Sequence, residues 1–368
     1  MFKILFLSRA NSQDNSAYSH RLKMLKNGLE QLGVETGIFY LGDRKITSHT
    51  MFPVYLPLLV PILRKYDFIH AGGMPSAFVA NLTRLFHRRK VIYDIHGDRI
   101  REVSEEKRLG TSNQKLGYLP IIKAFAHGIT AVWFSDYYLS VSKPLKQLFQ
   151  SRGVAAERIF IIRNGVDLRK FSPARNYRTD NNFTFTYAGR FQSYQAVDDF
   201  VEAANAINHP NVRFRIIGFT HDDRDKKVKI HNILGERVEL IDSVPQDRLV
   251  QLLQSSDVLV IPRRRSHVTT VAFPTKFAEY LALARPVIVS DVDETADLTL
   301  RYGCGQIYKN GAKGLKKSML KMLNSSRVEL QQMGIRGRKL AENMFDWRII
   351  CKQYYRILLK ISRLTPEG

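Results

Sequence analysis

Cysteine is scarce in this chain, with Cys304 and Cys351 the two examples in 368 residues. They lie far apart and match no zinc-type ligand spacing, so a metal knot and a disulfide framework are both excluded; they are expected to be reduced thiols of a cytosolic protein. A chain of this length buries enough apolar surface to need no such staples. Long apolar runs are missing too. The longest, residues 51–63, is interrupted by Pro53, Pro57 and Pro61 and falls short of the roughly 20 residues a spanning helix needs. The opening apolar run is too short for a signal peptide and passes into the polar residues 11–15. Low-complexity tracts and solenoid repeats are also lacking.

Acidic residues are in deficit, 34 against 57 Lys and Arg, for a net charge of +23. Residues 1–170 hold 26 basic and 13 acidic side chains, and residues 171–368 hold 31 and 21, so no tail carries the excess. A diffuse positive field favours anionic partners: nucleic acid, anionic lipid or an acidic substrate. Without a partner, it is a solvated basic surface. The basic residues are dispersed and match no nucleic-acid motif, so no nucleic-acid partner is expected.

What is present is an α/β alternation that runs twice. Strands are predicted at residues 3–7, 34–41, 67–71, 90–95, 138–141 and 159–162, with a helix over 19–32 ended by Gly33. Residues 172–182 are polar and aperiodic, as a linker would be. The alternation then restarts: strands at 183–187, 213–217, 238–240, 258–261 and 286–290, and helices at 197–207, 249–253, 275–284, 313–323 and 327–343. The pattern predicts two Rossmann-like domains, 1–172 and 183–344, facing a central cleft at the carboxyl ends of their strands. Residues 347–361 form a basic amphipathic helix, and the segment 345–368 is assigned back to the first domain.

Three strand ends in the second half carry phosphate chemistry. In Phe273-Pro-Thr-Lys-Phe-Ala-Glu279, Pro274 is expected at the first helical position. Lys276 then falls in the first turn, where a cation opposes the helix dipole. A phosphate bound at the helix start, near Thr275, resolves that conflict. Glu279 follows at i, i+3 on nearly the same face, placed to accept ribose hydroxyls; the bland alternative is an exposed Lys–Glu pair. Arg263, Arg264 and Arg265 follow the strand 258–261; Arg263 is the candidate phosphate fork, the other two solvent-facing. Gly189-Arg190 follows the strand 183–187, with the glycine permitting close backbone approach. Gly218 closes the strand 213–217, and Val244, after the strand 238–240, is a further candidate for the same site. In the first half, His96 ends an apolar strand, and Asp98, Arg99 and Glu102 come next. A lone histidine is more often structural, but this one sits where an acceptor hydroxyl could be polarised.

In these motifs the sequence resembles the family-4 glycosyltransferases, in particular the bacterial surface-polysaccharide members. Residues 162–173, with Asn164-Gly-Val-Asp167, resemble the end of that family's first domain. Tyr187-Ala-Gly-Arg190 resembles the entry to its second, and Pro274-Thr-Lys with Glu279-Tyr-Leu-Ala282 and Arg285-Pro-Val-Ile288 its nucleotide-binding helix and strand. The resemblance implies the GT-B fold. It also implies metal-independent, retaining transfer of a sugar from a UDP- or GDP-linked donor to a hydroxyl, with no cofactor. Arg190 and a nearby lysine would neutralise the leaving diphosphate, Glu279 would hold the ribose, and His96 would approach the reaction centre. Three departures stand out. Val271 occupies the position of a second glutamate. Gln195 replaces the usual phosphate lysine, leaving Lys276 or Arg263 to supply the charge. The first loop, 15–19, has no glycine, so Ser16 and Ser19 are its acceptor-side candidates. An epimerase of the same fold, an inactive relative and a non-catalytic anion or nucleic-acid binder remain as alternatives.

The expected partners are the nucleotide sugar and a glycan or lipid-linked acceptor, an anionic one included, at the cytoplasmic face of a membrane. Residues 51–63 with Arg64-Lys65, and the cluster 84–90, suggest peripheral contact with anionic lipid. Otherwise 51–63 is ordinary core.

Overall fold

In a computed structural model, six strands form the first sheet: β1 (Lys3–Ser8), β2 (Glu35–Tyr40), β3 (Phe68–Gly72), β4 (Lys90–Ile95), β5 (Tyr137–Ser140) and β6 (Ile159–Ile161). Six more form the second: β7 (Phe183–Ala188), β8 (Val212–Phe219), β9 (Val238–Asp242), β10 (Val258–Ile261), β11 (Val287–Ser290) and β12 (Gly305–Tyr308). The structure describes residues 2–14, 16–44, 52–98, 101–102, 119–174 and 182–363, with the backbone alone for 44, 52–55 and 119–126.

All the pairings within both sheets are parallel. The orders are β2-β1-β3-β4-β5-β6 and β12-β11-β10-β7-β8-β9. Each is a doubly wound order that reverses once, between β1 and β3 in the first and between β7 and β10 in the second. In such sheets ligands bind at the carboxyl ends of the strands beside the reversal. Half of the strands, β1, β3, β4, β7, β10 and β11, are buried along nearly their whole length, as parallel strands covered by helices on both faces are.

The chain divides into two compact units, Met1–Asn164 with Trp347–Gly368, and Gly165–Asp346. The first crossing falls at Asn164, ahead of residue 172. The physical reason is local: the Val166 N–H donates to the Phe345 carbonyl at 2.7 Å, and Val166 bridges Asp346. The segment after Asn164 is thereby tied to the second unit. Of the expected linker, residues 175–181 lie outside the described residues.

The Trp347–Arg363 helix belongs to the first unit. Its buried stripe, Trp347, Ile350, Cys351, Tyr354, Ile357, Leu358 and Ile361, has helical spacing and packs with Leu22, Leu25 and Leu29 of the Ala17–Glu30 helix. A Cβ on Gly28 would lie 2.2 Å from Cys351 Sγ, so only glycine permits this approach. Neither cysteine is in a disulfide.

Residues Phe52–Arg64 form a helix despite Pro57 and Pro61 inside it. The two prolines are four apart and exposed, while Leu59 and Leu63 are buried. Both missing N–H groups therefore fall on the outer face, and the segment contributes to the core of the first unit. Among the described residues no helix is long and apolar enough to cross a membrane.

Candidate active site

The second unit carries a cavity of about 270 Å³ at the carboxyl ends of β7, β8 and β9. Its lining includes Gly189, Arg190, Gly218, Val244, Thr275, Lys276 and Glu279, all expected from the sequence. Leu249, Leu253 and Ser243 complete one wall.

Two glycines shape the floor. Gly218 has φ +116° and interrupts the β8–β9 register. A Cβ there would lie 2.6 Å from the Gly189 carbonyl oxygen. Gly189 has φ +149°, and a Cβ on it would lie 2.5 Å from Lys276 Nζ. The two loops and the lysine are stacked in contact, and only residues without a Cβ allow it. Tyr280 fixes the Thr275–Ala282 helix to the end of β7: its hydroxyl accepts from the Ala188 N–H at 3.1 Å and sits 3.3 Å from the Ala188 carbonyl.

Lys276 Nζ donates to Gln195 Oε1 at 3.4 Å and lies 4.6 Å from the centre of the Tyr187 ring. Gln195, where a lysine was the familiar residue, thus supports Lys276. Lys276 is half-buried on the cavity lining, and burial pushes its pKa down to about 7, with Arg263 adding repulsion and Glu279 opposing both. Burial pushes the Glu279 carboxyl up to about 7, against the pull of Lys276. Neither group is well served without a ligand. Arg190 is exposed on the cavity lining, and its carbonyl accepts from the Tyr187 hydroxyl at 2.9 Å.

Two local expectations are corrected. Pro274 is the N-cap (φ −70°, ψ 123°), so the helix begins at Thr275 and Lys276 is its second residue. Arg263 does not line the cavity. Its buried guanidinium is paired with Asp293, the cap of the Glu294–Tyr302 helix. It acts on Lys276 through its field, and no contact with a ligand follows. Arg264 faces solvent near Asp198 and Asp199, and Arg265 near Asp291. Val271 ends a five-residue helix, with its side chain buried.

In the first unit, His96 follows β4 and puts Nε2 3.2 Å from Asp94 Oδ2, with Tyr18 against its ring edge. Asp94 is fully buried and was not singled out by sequence. Arg21 grips it with two bonds of 2.9 Å and also donates to the Ile162 and Arg163 carbonyls. His70 places Nε2 3.4 Å from the same carboxylate and pairs Nδ1 with the Tyr354 hydroxyl at 2.9 Å. Burial alone would raise the Asp94 pKa; Arg21, then the two histidines, hold it well below the usual range. Burial lowers the His70 pKa. The signal in the sequence was an arginine within the apolar face of a helix, which a one-residue reading passes over.

The acceptor-side candidates fare unevenly. Ser16 caps the Ala17–Glu30 helix, and Ser16 and Ser19 both donate to Asp14 Oδ2, at 2.7 and 2.6 Å. Their hydroxyls hold the loop together. Asp98 is buried against Arg152, with Arg101 at 3.4 Å, so it anchors the segment and does not offer a free carboxylate. The Glu102 carboxylate lies over Gly97. Arg99 lies outside the described residues.

The model of the group 1 glycosyltransferases ("Glycosyl transferases group 1") matches residues 169–340, and that of "Glycosyltransferase Family 4" matches residues 21–170. The chain belongs to this family of glycosyltransferases. One similar protein is an Escherichia coli UDP-Gal:alpha-D-GlcNAc-diphosphoundecaprenol alpha-1,3-galactosyltransferase, 26% identical over 62% of the chain and 59% of the relative. Another is the D-inositol 3-phosphate glycosyltransferase of Nocardia farcinica, 22% identical over 77% of the chain and 64% of the relative. The chain spans about three fifths of the length of these relatives. Among solved structures, sucrose-phosphate synthase of Thermosynechococcus elongatus aligns with TM-score 0.78 and 16% identity over 99% of this chain and 100% of that one. Anabaena HepE in complex with UDP-glucose aligns with TM-score 0.73 and 16% identity, over 98% and 100%. At such identity these structures speak for the fold, the GT-B class, and for nothing finer.

Proposed function

We propose that the protein transfers a sugar, with retention of anomeric configuration and without a metal, from a nucleoside-diphosphate sugar to a hydroxyl of a lipid-linked or polysaccharide acceptor during bacterial surface-glycan synthesis. One observation carries the reading: Lys276 Nζ stands directly over Gly189 at the mouth of a doubly wound sheet, beside Arg190. Two cations meeting bare backbone at the carboxyl ends of parallel strands suit a diphosphate. They would also stabilise the charge that develops as it leaves, the task otherwise given to a divalent ion. Glu279 is placed to accept from a ribose, and the wall of Val244, Leu249 and Leu253 suits the face of a base. His96, oriented by Asp94, is the first unit's candidate to meet the reacting sugar or the acceptor hydroxyl. The UDP-linked donors named for the Escherichia coli relative and the Anabaena structure support a uridine donor. The diphosphoundecaprenol-linked acceptor in that relative's name supports a lipid-linked acceptor.

The test is a melting-temperature screen against UDP, GDP, ADP and CMP. Ligands that bind the folded state raise the melting temperature according to concentration and affinity. A nucleoside diphosphate should stabilise the second unit, and Lys276→Ala should weaken its binding by about tenfold or more, as expected for a lost charge-assisted hydrogen bond. An unshifted melting curve with all four nucleotides would overturn the proposal.

A further inference from the structure

At the carboxyl end of β4, side chains from several elements converge on one carboxylate. Asp94 stands on β4, His70 on β3, Arg21 on the Ala17–Glu30 helix, and His96 directly after β4. Tyr354 of the Trp347–Arg363 helix joins the group through His70. Arg21, His70, Asp94 and Tyr354 are at most 1% exposed, whereas the His96 side chain keeps 27% of its surface in solvent. His96 is thus the outward end of a buried polar chain.

The proton positions follow from which atoms are forced together. With Arg21 on both oxygens at 2.9 Å, Asp94 is an anion, and an ionised carboxylate offers only lone pairs. His70 Nε2 at 3.4 Å and His96 Nε2 at 3.2 Å both face its Oδ2. Both nitrogens are buried and have no other partner among the described residues. A bare nitrogen in either place would set lone pair against lone pair where little water screens the repulsion. Each therefore carries a hydrogen. Burial lowers the His70 pKa, so that ring is neutral and its Nδ1 is bare. The Tyr354 hydroxyl then donates to it at 2.9 Å, and burial, by raising the Tyr354 pKa, keeps the proton on the phenol. The chain runs from Tyr354 to His70 to Asp94, and His96 donates to the same oxygen from the other side.

The other nitrogen of His96 is the part left over. Among the described residues Nδ1 has no hydrogen-bond partner, and it belongs to the half-buried ring at a strand end, where ligands of such sheets bind. Tyr18 lies edge-on to that ring with centroids 5.4 Å apart, its own hydroxyl anchored on the Gly72 carbonyl. The imidazole is held by a carboxylate at one nitrogen and by an aromatic neighbour along its side.

We infer that Asp94 is a positioning residue that locks His96 as the neutral Nε2–H tautomer, leaving Nδ1 as a hydrogen-bond acceptor for a hydroxyl of the bound ligand. A buried carboxylate on one ring nitrogen selects the tautomer and strengthens the opposite nitrogen as an acceptor. The choice narrows the chemistry. A bare imidazole nitrogen receives an O–H and is repelled by a carboxylate or phosphate oxygen, so the group that meets His96 is a hydroxyl. A site built to pair with a hydroxyl rejects an analogue without one far more strongly than an apolar pocket rejects a change of size. The lock is a property of the ligand-free first unit; that the hydroxyl belongs to a sugar or an acceptor rests on the proposed transfer activity.

The tautomer is read from nitrogen shifts. The full-length protein, isotope-labelled at its histidine nitrogens, is studied by long-range proton–nitrogen correlation at about pH 8, above the ordinary histidine pKa of about 6.5. The signals lost in His96→Gln assign the ring. Wild type should show a protonated Nε2 and a bare Nδ1 at the shifts of one fixed tautomer. A protonated Nδ1, or shifts averaged between the two forms, would overturn the inference. The Nε2 proton should also appear as a separate line protected from exchange with water; its loss to rapid exchange would count equally against the lock, whatever any variant does. Asp94→Leu with Arg21→Met removes both buried charges, so that neither is left unpaired, and His96 should then show averaged shifts. A fixed Nε2–H form that survives in this variant, folded by circular dichroism, would take the positioning role away from Asp94. No nucleotide is present in these measurements. A chain that shows the lock and no melting shift with any nucleotide would lose the transferase reading and keep this one.

Discussion

Lys276 and Glu279 lie one turn apart on the same helix, line the same cavity and have opposite pH problems. The unfolded lysine titrates near 10.5 and the folded one near 7; the unfolded glutamate near 4.5 and the folded one near 7. Between pH 4.5 and 7 the folded glutamate holds a proton that the unfolded chain has released, so raising the pH there costs stability. Between 7 and 10.5 the unfolded lysine holds a proton that the folded one has released, so raising the pH there restores it. The ligand-free second unit is thus expected to have a local stability minimum near neutrality from this pair. A diphosphate draws the lysine back to its charged form, so binding should take up a proton. We predict that UDP affinity falls as pH rises from about 7 to about 9, above the folded lysine's pKa, and that calorimetry in buffers of different ionisation enthalpy detects the uptake. Flat affinity across that range would mean Lys276 is charged throughout. This residue was legible in the sequence because a cation in the first turn of a helix contradicts the helix dipole. Arg263 was misread for a reason equally physical: Asp293, which occupies its guanidinium, is 30 residues away, and no local pattern announces the pairing.

At the scale of elements, the cavity of the second unit depends on two loops touching where side chains would ordinarily keep them apart. Gly218→Ala should place a Cβ against the Gly189 carbonyl and cost roughly 1–3 kcal/mol through strain at a positive φ. It should also displace the Gly189 loop and abolish the nucleotide-induced melting shift. Gly235→Ala, also at positive φ (+56°) but with open space around it, is the control: stability lost, nucleotide binding kept. The strand alternation and most helices were readable because parallel strands are short apolar runs and helices repeat at about 3.6 residues. The Phe52–Arg64 helix was opaque because proline normally ends a helix; two prolines four residues apart on the exposed face leave the buried ladder intact. The Arg21–Asp94 pair was opaque as well. It joins a helix to a strand 73 residues later, and neither residue stands out without the other.

For the whole molecule, the tandem arrangement was visible as one alternation run twice, and the last helix as a basic amphipathic stripe. Its weight can be measured. Removing residues 347–363 uncovers Leu22, Leu25 and Leu29 and takes Tyr354 from His70. Limited proteolysis of that truncated chain should degrade residues 1–164 and spare the second unit, which should still show a melting shift with nucleotide. Survival of both halves would show that the first unit needs no such closure.

The same route through the structure has a consequence for synthesis. A ribosome makes chains from the amino end, and early domains usually fold first. Here the first-made residues must wait. The apolar side of the Ala17–Glu30 helix packs on the first sheet but is only partly covered until the Trp347–Arg363 segment emerges, by which time residues Gly165–Asp346 are already complete. The later-encoded unit is therefore the earlier to finish. Until then a growing chain carries an open hydrophobic seam along that helix, and chaperones would find their target there.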